Sequence, residues 1–158
     1  MALEFNDIEF QNVRRLAEEQ YRAFGSIRCP YFQDNVHFNA RGFEHIRRQA
    51  WNRGRDQRDQ FMRLKHLARA PEILRLSRTV QGIQTTAEWE RQHKHGRWEK
   101  RLVPVIFYEF VAVLEERRFK VIVKQLPGGQ RIFWSLIPFW RQNEQGRRLL
   151  HDGDPAQD

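Results

Sequence analysis

The order of patterns in this chain predicts an α+β fold in which N-terminal helices pack on a C-terminal four-stranded antiparallel meander sheet. Three observations carry that expectation. Apolar residues recur at helical spacing as far as Arg78, β-branched and aromatic runs take over from Thr79, and Phe119 to Trp140 folds back on itself about Pro127, Gly128 and Gly129. With 158 residues, 40% of them hydrophobic, the chain suits one domain that buries a core without disulfides. That domain is expected over 1–142, with 143–158 as a disordered tail of low apolar content.

In order, Phe10, Val13, Ala17, Tyr21 and Phe24 mark the buried stripe of a helix over 7–24, with Asn6 or Asp7 as its N-cap and Gly25 as its stop. Ile27 to Phe38 then reads as a short strand pair or an extended arm around the polar turn Gln33, Asp34, Asn35. Asn39 caps a second helix, Ala40 to Trp51, with Phe43, Ile46 and Ala50 inward and His45 off the stripe. A third helix starts at Asp56 or Asp59 and runs through Ala68, with Phe61, Leu64 and Ala68 facing the core. Pro71 fits the first turn of a fourth, Glu72 to Arg78. Gln81 to Gln92 has both helical and extended features, and Thr85 and Thr86 favour a strand. Leu102 to Leu114 is the long central strand, and Glu115 to Arg118 turns into the hairpin.

Register decides which hairpin residues share a face. If Gly128 and Gly129 are the turn, Ile122 opposes Ser135 and Lys124 opposes Phe133, so Lys124 and Ser135 emerge together while Val121, Val123, Ile132, Trp134 and Leu136 form the core face. If Glu116 and Arg117 are the preceding turn, Glu109 falls opposite Lys124, as a general base or as one half of a cross-strand ion pair.

Charge narrows the partner. The chain carries 28 Lys and Arg against 20 Asp and Glu, and residues 41–78 alone hold 11 basic and 4 acidic residues, a local excess of +7. Such an arginine-rich region attracts phosphates, so nucleic acid is the expected partner. The single cysteine, Cys29, cannot form an internal disulfide and suits a reducing cytoplasm. No apolar run reaches bilayer-spanning length, and a membrane partner is not expected.

Metal and cofactor chemistry find little support. His93 and His95 stand without companion ligands, and Gly128-Gly129 is not followed by the Lys-Ser or Lys-Thr of a phosphate loop. What remains is chemistry that side chains alone perform, in which an RNA 2′-hydroxyl attacks its own phosphodiester while the protein moves protons and stabilises charge. His45, with Arg41 and Arg48 one helical turn to either side, is kept neutral by those cations until an anion arrives.

The run from Asn39 through Gly42 and His45 to Arg48, followed by Lys120 to Lys124 with its Gly-Gly turn and by Phe133, Trp134, Ser135 and Pro138, resembles the phage and plasmid nucleases of the barnase, EndoU, colicin and RelE fold. The resemblance covers roughly residues 27–141. It implies helices followed by a four-stranded meander, metal-independent RNA cleavage, and often a toxin held by an antitoxin or immunity protein. It also implies a helix histidine, a sheet cation and a last-strand hydroxyl, here His45, Lys124 and Ser135.

The combined expectation is a ribonuclease acting on tRNA or other RNA. His45, Arg48, Lys124, Ser135 and Glu109 are its catalytic candidates, and Arg41, Arg47, Lys120 and Trp140 its substrate contacts. The rival expectations are a non-catalytic RNA- or DNA-binding protein using the same basic face, and a protein-interaction module.

Overall fold

The computed structural model describes residues 6–50, 53–138, 141–142, 148–149, 155–156 and 158. Helix α1 (Asp7–Phe24) has the predicted bounds, because both of its ends are set locally: the Asn6 side chain accepts from the Glu9 amide at 2.7 Å, and Gly25 takes φ 60° past the last turn. Strands β1 (Ser26–Cys29) and β2 (Asp34–His37) form a short antiparallel pair, one of the two forms expected for this stretch. Asn39 caps α2 (Ala40–Arg47) through the amides of Arg41 and Gly42. That helix stops at Arg47 rather than Trp51, since the chain turns into β3 (Arg48–Ala50), which pairs with β4 (Arg53–Gly54). Asp56 caps α3 (Gln57–Lys65), which ends before Ala68 and leaves that residue exposed while Leu67 is buried. Pro71 sits in the first turn of α4 (Arg69–Leu76).

The expected meander is present as β5 (Gly82–Lys94), β6 (Arg97–Leu114), β7 (Arg117–Gln125) and β8 (Arg131–Pro138). It is part of a larger, mixed sheet of six strands in the order β1-β2-β8-β7-β6-β5, because β2 docks parallel to β8 at His37 and Ile132. Four strands and a purely antiparallel sheet were therefore too few and too simple. Beyond β8, the pair β9 (Arg141–Gln142) and β10 (Arg148–Leu149) lies in a separate two-stranded unit. Trp140 lies outside the described residues, as does most of the stretch 143–158; within it Pro155 and Asp158 are buried.

One face of the sheet meets the helices. Ala17 and Tyr21 of α1, Ile46 of α2, Leu64 of α3 and Leu74 of α4 pack on Phe110, Phe119, Val121, Val123, Phe133 and Leu136. The reverse face holds a smaller cluster of Val105, Phe107, Ile122 and Ile137, with Trp134 and Ala156 against it.

Two details of register move residues from their expected positions. Ile122 opposes Ser135 as predicted, but Val123 opposes Phe133 and Lys124 opposes Ile132, so Trp134 is an extra residue in β8, a β-bulge. The bulge shifts alternation by one, which takes Trp134 out of the helix-side core and sets Ile132 opposite Lys124. The β6–β7 turn is Glu115-Glu116, both with left-handed backbone at φ 51° and 63°, the twist that a two-residue hairpin favours. Glu109 consequently opposes Ile122, and Phe107 opposes Lys124, in place of the expected Glu109–Lys124 pair.

Gly42 marks where α1, α2 and β8 meet. A Cβ there would overlap the Phe133 carbonyl oxygen and come within 2.8 Å of the Tyr21 hydroxyl, which donates to the Asn39 carbonyl at 2.5 Å. Alanine would add up to about 1 kcal/mol of helix propensity, whereas overpacking against backbone costs about 1–3 kcal/mol. The steric effect is the larger. Gly42→Ala is expected to lower the urea midpoint with an unchanged slope; a raised midpoint would show that α2 moves freely against β8.

Candidate functional site

The bulge at Trp134 brings α2 and β7 to one place. His45 of α2 stacks on the indole at 4.1 Å between centroids with 18° between planes, and the Lys124 ammonium of β7 lies 4.2 Å from the same ring centroid. His45 is only 5% exposed. It lies among cations, but these are not the arginines expected from helical spacing. Arg41 and Arg48 are exposed, and Arg48 pairs with Glu44 at 2.9 Å. The guanidinium on His45 belongs to Arg55, which follows β4 and reaches back to bond both the His45 carbonyl, from Nε at 3.1 Å, and the ring Nε2, from Nη2 at 3.0 Å. A guanidinium can only donate, so Nε2 accepts and the neutral ring carries its proton on Nδ1.

Arg63, from α3, completes the group and is 1% exposed. Its Nε bonds Asp59 at 2.5 Å, and its Nη1 donates to the Ser135 hydroxyl at 2.7 Å. Arg55 makes a longer ion pair to the same Asp59 at 3.6 Å. Three donors then converge on one oxygen, the Asp158 carbonyl: Arg55 Nη2 at 3.0 Å, Ser135 Oγ at 2.5 Å, and Arg63 Nη1. Two guanidiniums and a hydroxyl aimed at one acceptor make an anion seat, of the donor geometry that carboxylate and phosphate oxygens take.

Lys124 stands beside this seat, with its charge bonded to Glu88 of β5 at 2.7 Å. Burial lowers its pKa, Glu88 opposes that shift, and the nearby charge of Arg41 adds to it. Lys120 and Glu109 pair with each other at 3.4 Å. Glu109 is thus half of a cross-strand ion pair, with Lys120 as the partner. Arg47 is half-buried near Glu44 at 3.7 Å, and its Nε has no hydrogen-bond partner among the described residues. Of the sequence candidates, His45, Lys124 and Ser135 meet, Arg41 is near Lys124, and Arg48, Glu109 and Lys120 are engaged elsewhere.

Arg55 and Arg63 escaped the sequence reading because nothing local distinguishes them from the other arginines of 41–78. The one available signal is Asp59, four residues from each, which lets a single carboxylate serve Arg63 within α3 and Arg55 just ahead of it. Among the described residues no three His, Cys, Asp or Glu side chains gather as a metal site would require. Among the described residues no helix is long and apolar enough to cross a membrane. Comparison with family models, curated proteins and solved structures finds no match.

Burial, reinforced by Arg55, Arg63 and Lys124, pushes the His45 pKa down to about 2, and burial with Lys65 and Arg117 brings His66 to about 4. Both imidazoles are neutral in the fold, so the unfolded chain takes up protons first as pH falls. Stability from these groups is complete above pH 6.5, the ordinary histidine value, and is lost as pH drops below it toward the folded values. Between pH 6.5 and 5, His45 alone is expected to cost about 2 kcal/mol. Urea unfolding at stepped pH reads this slope, and His45→Gln should flatten it; an equal slope in the variant would place the titration elsewhere.

Proposed function

We propose that this chain is a metal-independent ribonuclease domain that seats an RNA phosphate against Arg55, Arg63 and Ser135 and uses His45 as the proton acceptor. The observation that carries the reading is the convergence of three donors on one oxygen beside a neutral imidazole. The Asp158 carbonyl oxygen stands in for a phosphate oxygen, and RNA has to displace it. In the reaction the 2′-oxygen bonds to phosphorus as its proton passes to His45, and the 5′-oxygen leaves with the electron pair of its P–O bond and takes a proton from water, giving a 2′,3′-cyclic phosphate and a 5′-hydroxyl. Arg55 and Arg63 stabilise the charge that builds on the phosphorane oxygens. The guanidinium of Arg55 moves from Nε2 to the incoming phosphate, which frees the lone pair that accepts the proton. Lys124 adds positive charge beside Trp134, and the excess of +7 over residues 41–78 draws the polyanion in. A toxin restrained by an antitoxin or immunity protein is the biological setting that the resemblance suggests.

A second reading, RNA binding without cleavage, is favoured by one observation: Nε2 of His45 is already held by Arg55. Incubating single-stranded RNA in EDTA with wild type, His45→Ala and Ser135→Ala separates the two. Cleavage is expected to fall by about 10²–10⁴ in His45→Ala and about tenfold in Ser135→Ala, the worth of a hydrogen bond to a charged group. RNA retained by a wild type that never cuts it would select the second reading. Omitting residues 155–158 is expected to raise kcat/KM, since no carbonyl then competes for the seat.

A further inference from the structure

The β5–β6 hairpin extends past its neighbour. β7 pairs with β6 only from Ile106 onward, so Thr86–Lys94 and Arg97–Val105 form a free two-stranded ribbon that turns at His95-Gly96. Pairing is one to one along it, and alternate residues therefore sort onto two faces. The ribbon's carboxylates, Glu88, Glu90 and Glu99, all lie on the face of buried Val103 and Val105, where Glu88 binds Lys124. The other face places Trp89 opposite Leu102, Arg91 opposite Lys100 and His93 opposite Trp98. It has no carboxylate, while Trp89 is 71% and Trp98 65% exposed.

Two large rings left in water need a reason. The Arg91 guanidinium lies 5.2 Å from the Trp98 ring centroid, and the His93 ring packs edge-on at 5.1 Å, so Trp98 is propped upright on the strand surface. Trp89 stands about 13 Å along the ribbon from it, four residues of rise, and the Arg91–Lys100 pair lies between. Flat aromatic surfaces separated by cations match a single strand whose bases stack while its phosphates meet positive charge. A protein partner would find Lys100 between the two rings, and protein interfaces are depleted of lysine.

We propose that this face of the ribbon binds single-stranded RNA, with bases stacking on Trp89 and Trp98 and phosphates held by Arg91 and Lys100. The ligand class rests on the ribonuclease reading above, and the surface goes beyond that site. Because Glu88 faces Lys124 from the reverse side, the tryptophans point away from the anion seat. They hold a flank of the strand and not the reacting phosphate.

Fluorescence anisotropy with a labelled oligouridylate of about 12 nucleotides, long enough for a stacking platform, tests this on the full chain. Trp89→Ala and Trp98→Ala should each weaken binding about tenfold. Arg91→Gln with Lys100→Gln should reduce the salt slope by about 1.4, two phosphates' worth on a single strand. In cleavage assays KM should rise with kcat unchanged. The ribbon is peripheral, and circular dichroism with an unaltered urea midpoint confirms folding. Native-folded variants with wild-type affinity and salt slope would overturn the proposal, as would loss of self-association, seen by sedimentation, with RNA affinity intact. If the tryptophan variants lose affinity and no protein cleaves, the ribbon stands and the nuclease reading falls. If cleavage depends on His45 and the ribbon variants match wild type, the reverse holds.

Discussion

A guanidinium with almost no access to water, that of Arg63, sets the terms for everything around it. Burying such a charge costs several kcal/mol, about, unless each donor finds an acceptor. Asp59 supplies the counter-charge one turn back on α3, and Nη1 is shared among the Ser135 hydroxyl, the Leu136 carbonyl and the Asp158 carbonyl. Two of these partners lie on β8, so satisfying one charge fixes α3 against the last sheet strand. The same requirement gathers polar donors at a place that hydrophobic packing alone would have closed.

The bulge in β8 is the second half of that arrangement. Without the extra residue at Trp134, strict alternation would carry the indole into the helix-side core with Phe133's neighbours, and His45 would lack the ring it stacks on. With it, Ser135 still opposes Ile122 while the residues before it slip by one, so Lys124 faces Ile132. Bulges re-aim side chains in this way. Trp134 then serves as a shared apolar contact for two groups that would otherwise compete for water, the imidazole at 4.1 Å and the ammonium at 4.2 Å.

What could be read in advance follows the range of the interaction that decides it. The bounds of α1, the Asn39 cap, the β1–β2 pair and the Ile122–Ser135 register depend on residues a few positions apart, and each was legible. Contacts made across the fold were not. Lys124 finds Glu88 36 residues earlier, Arg63 finds Ser135 72 residues later, and β2 joins β8 where His37 meets Ile132, far along the chain. His45 was legible as a candidate but not in its setting. Helical spacing pointed to Arg41 and Arg48, whereas the loop before α3 delivers Arg55 to the ring through tertiary folding. Glu109 shows the sensitivity of such readings, because moving one turn by one residue exchanged its expected partner Lys124 for Lys120.

Under the proposed function, the electrostatics would tie proton transfer to occupancy of the seat. Arg55, Arg63 and Lys124 all oppose a charge on His45, and burial opposes it more than any of them, so the resting imidazole stays neutral well below its ordinary range. In the proposed reaction a phosphodiester would bring one negative charge between Arg55 and Arg63, and it would give Arg55 a better acceptor than a neutral ring nitrogen. Each effect would make His45 more basic. In that scheme the imidazole would take a proton only after the phosphate has arrived and would waste none of its capacity on solvent.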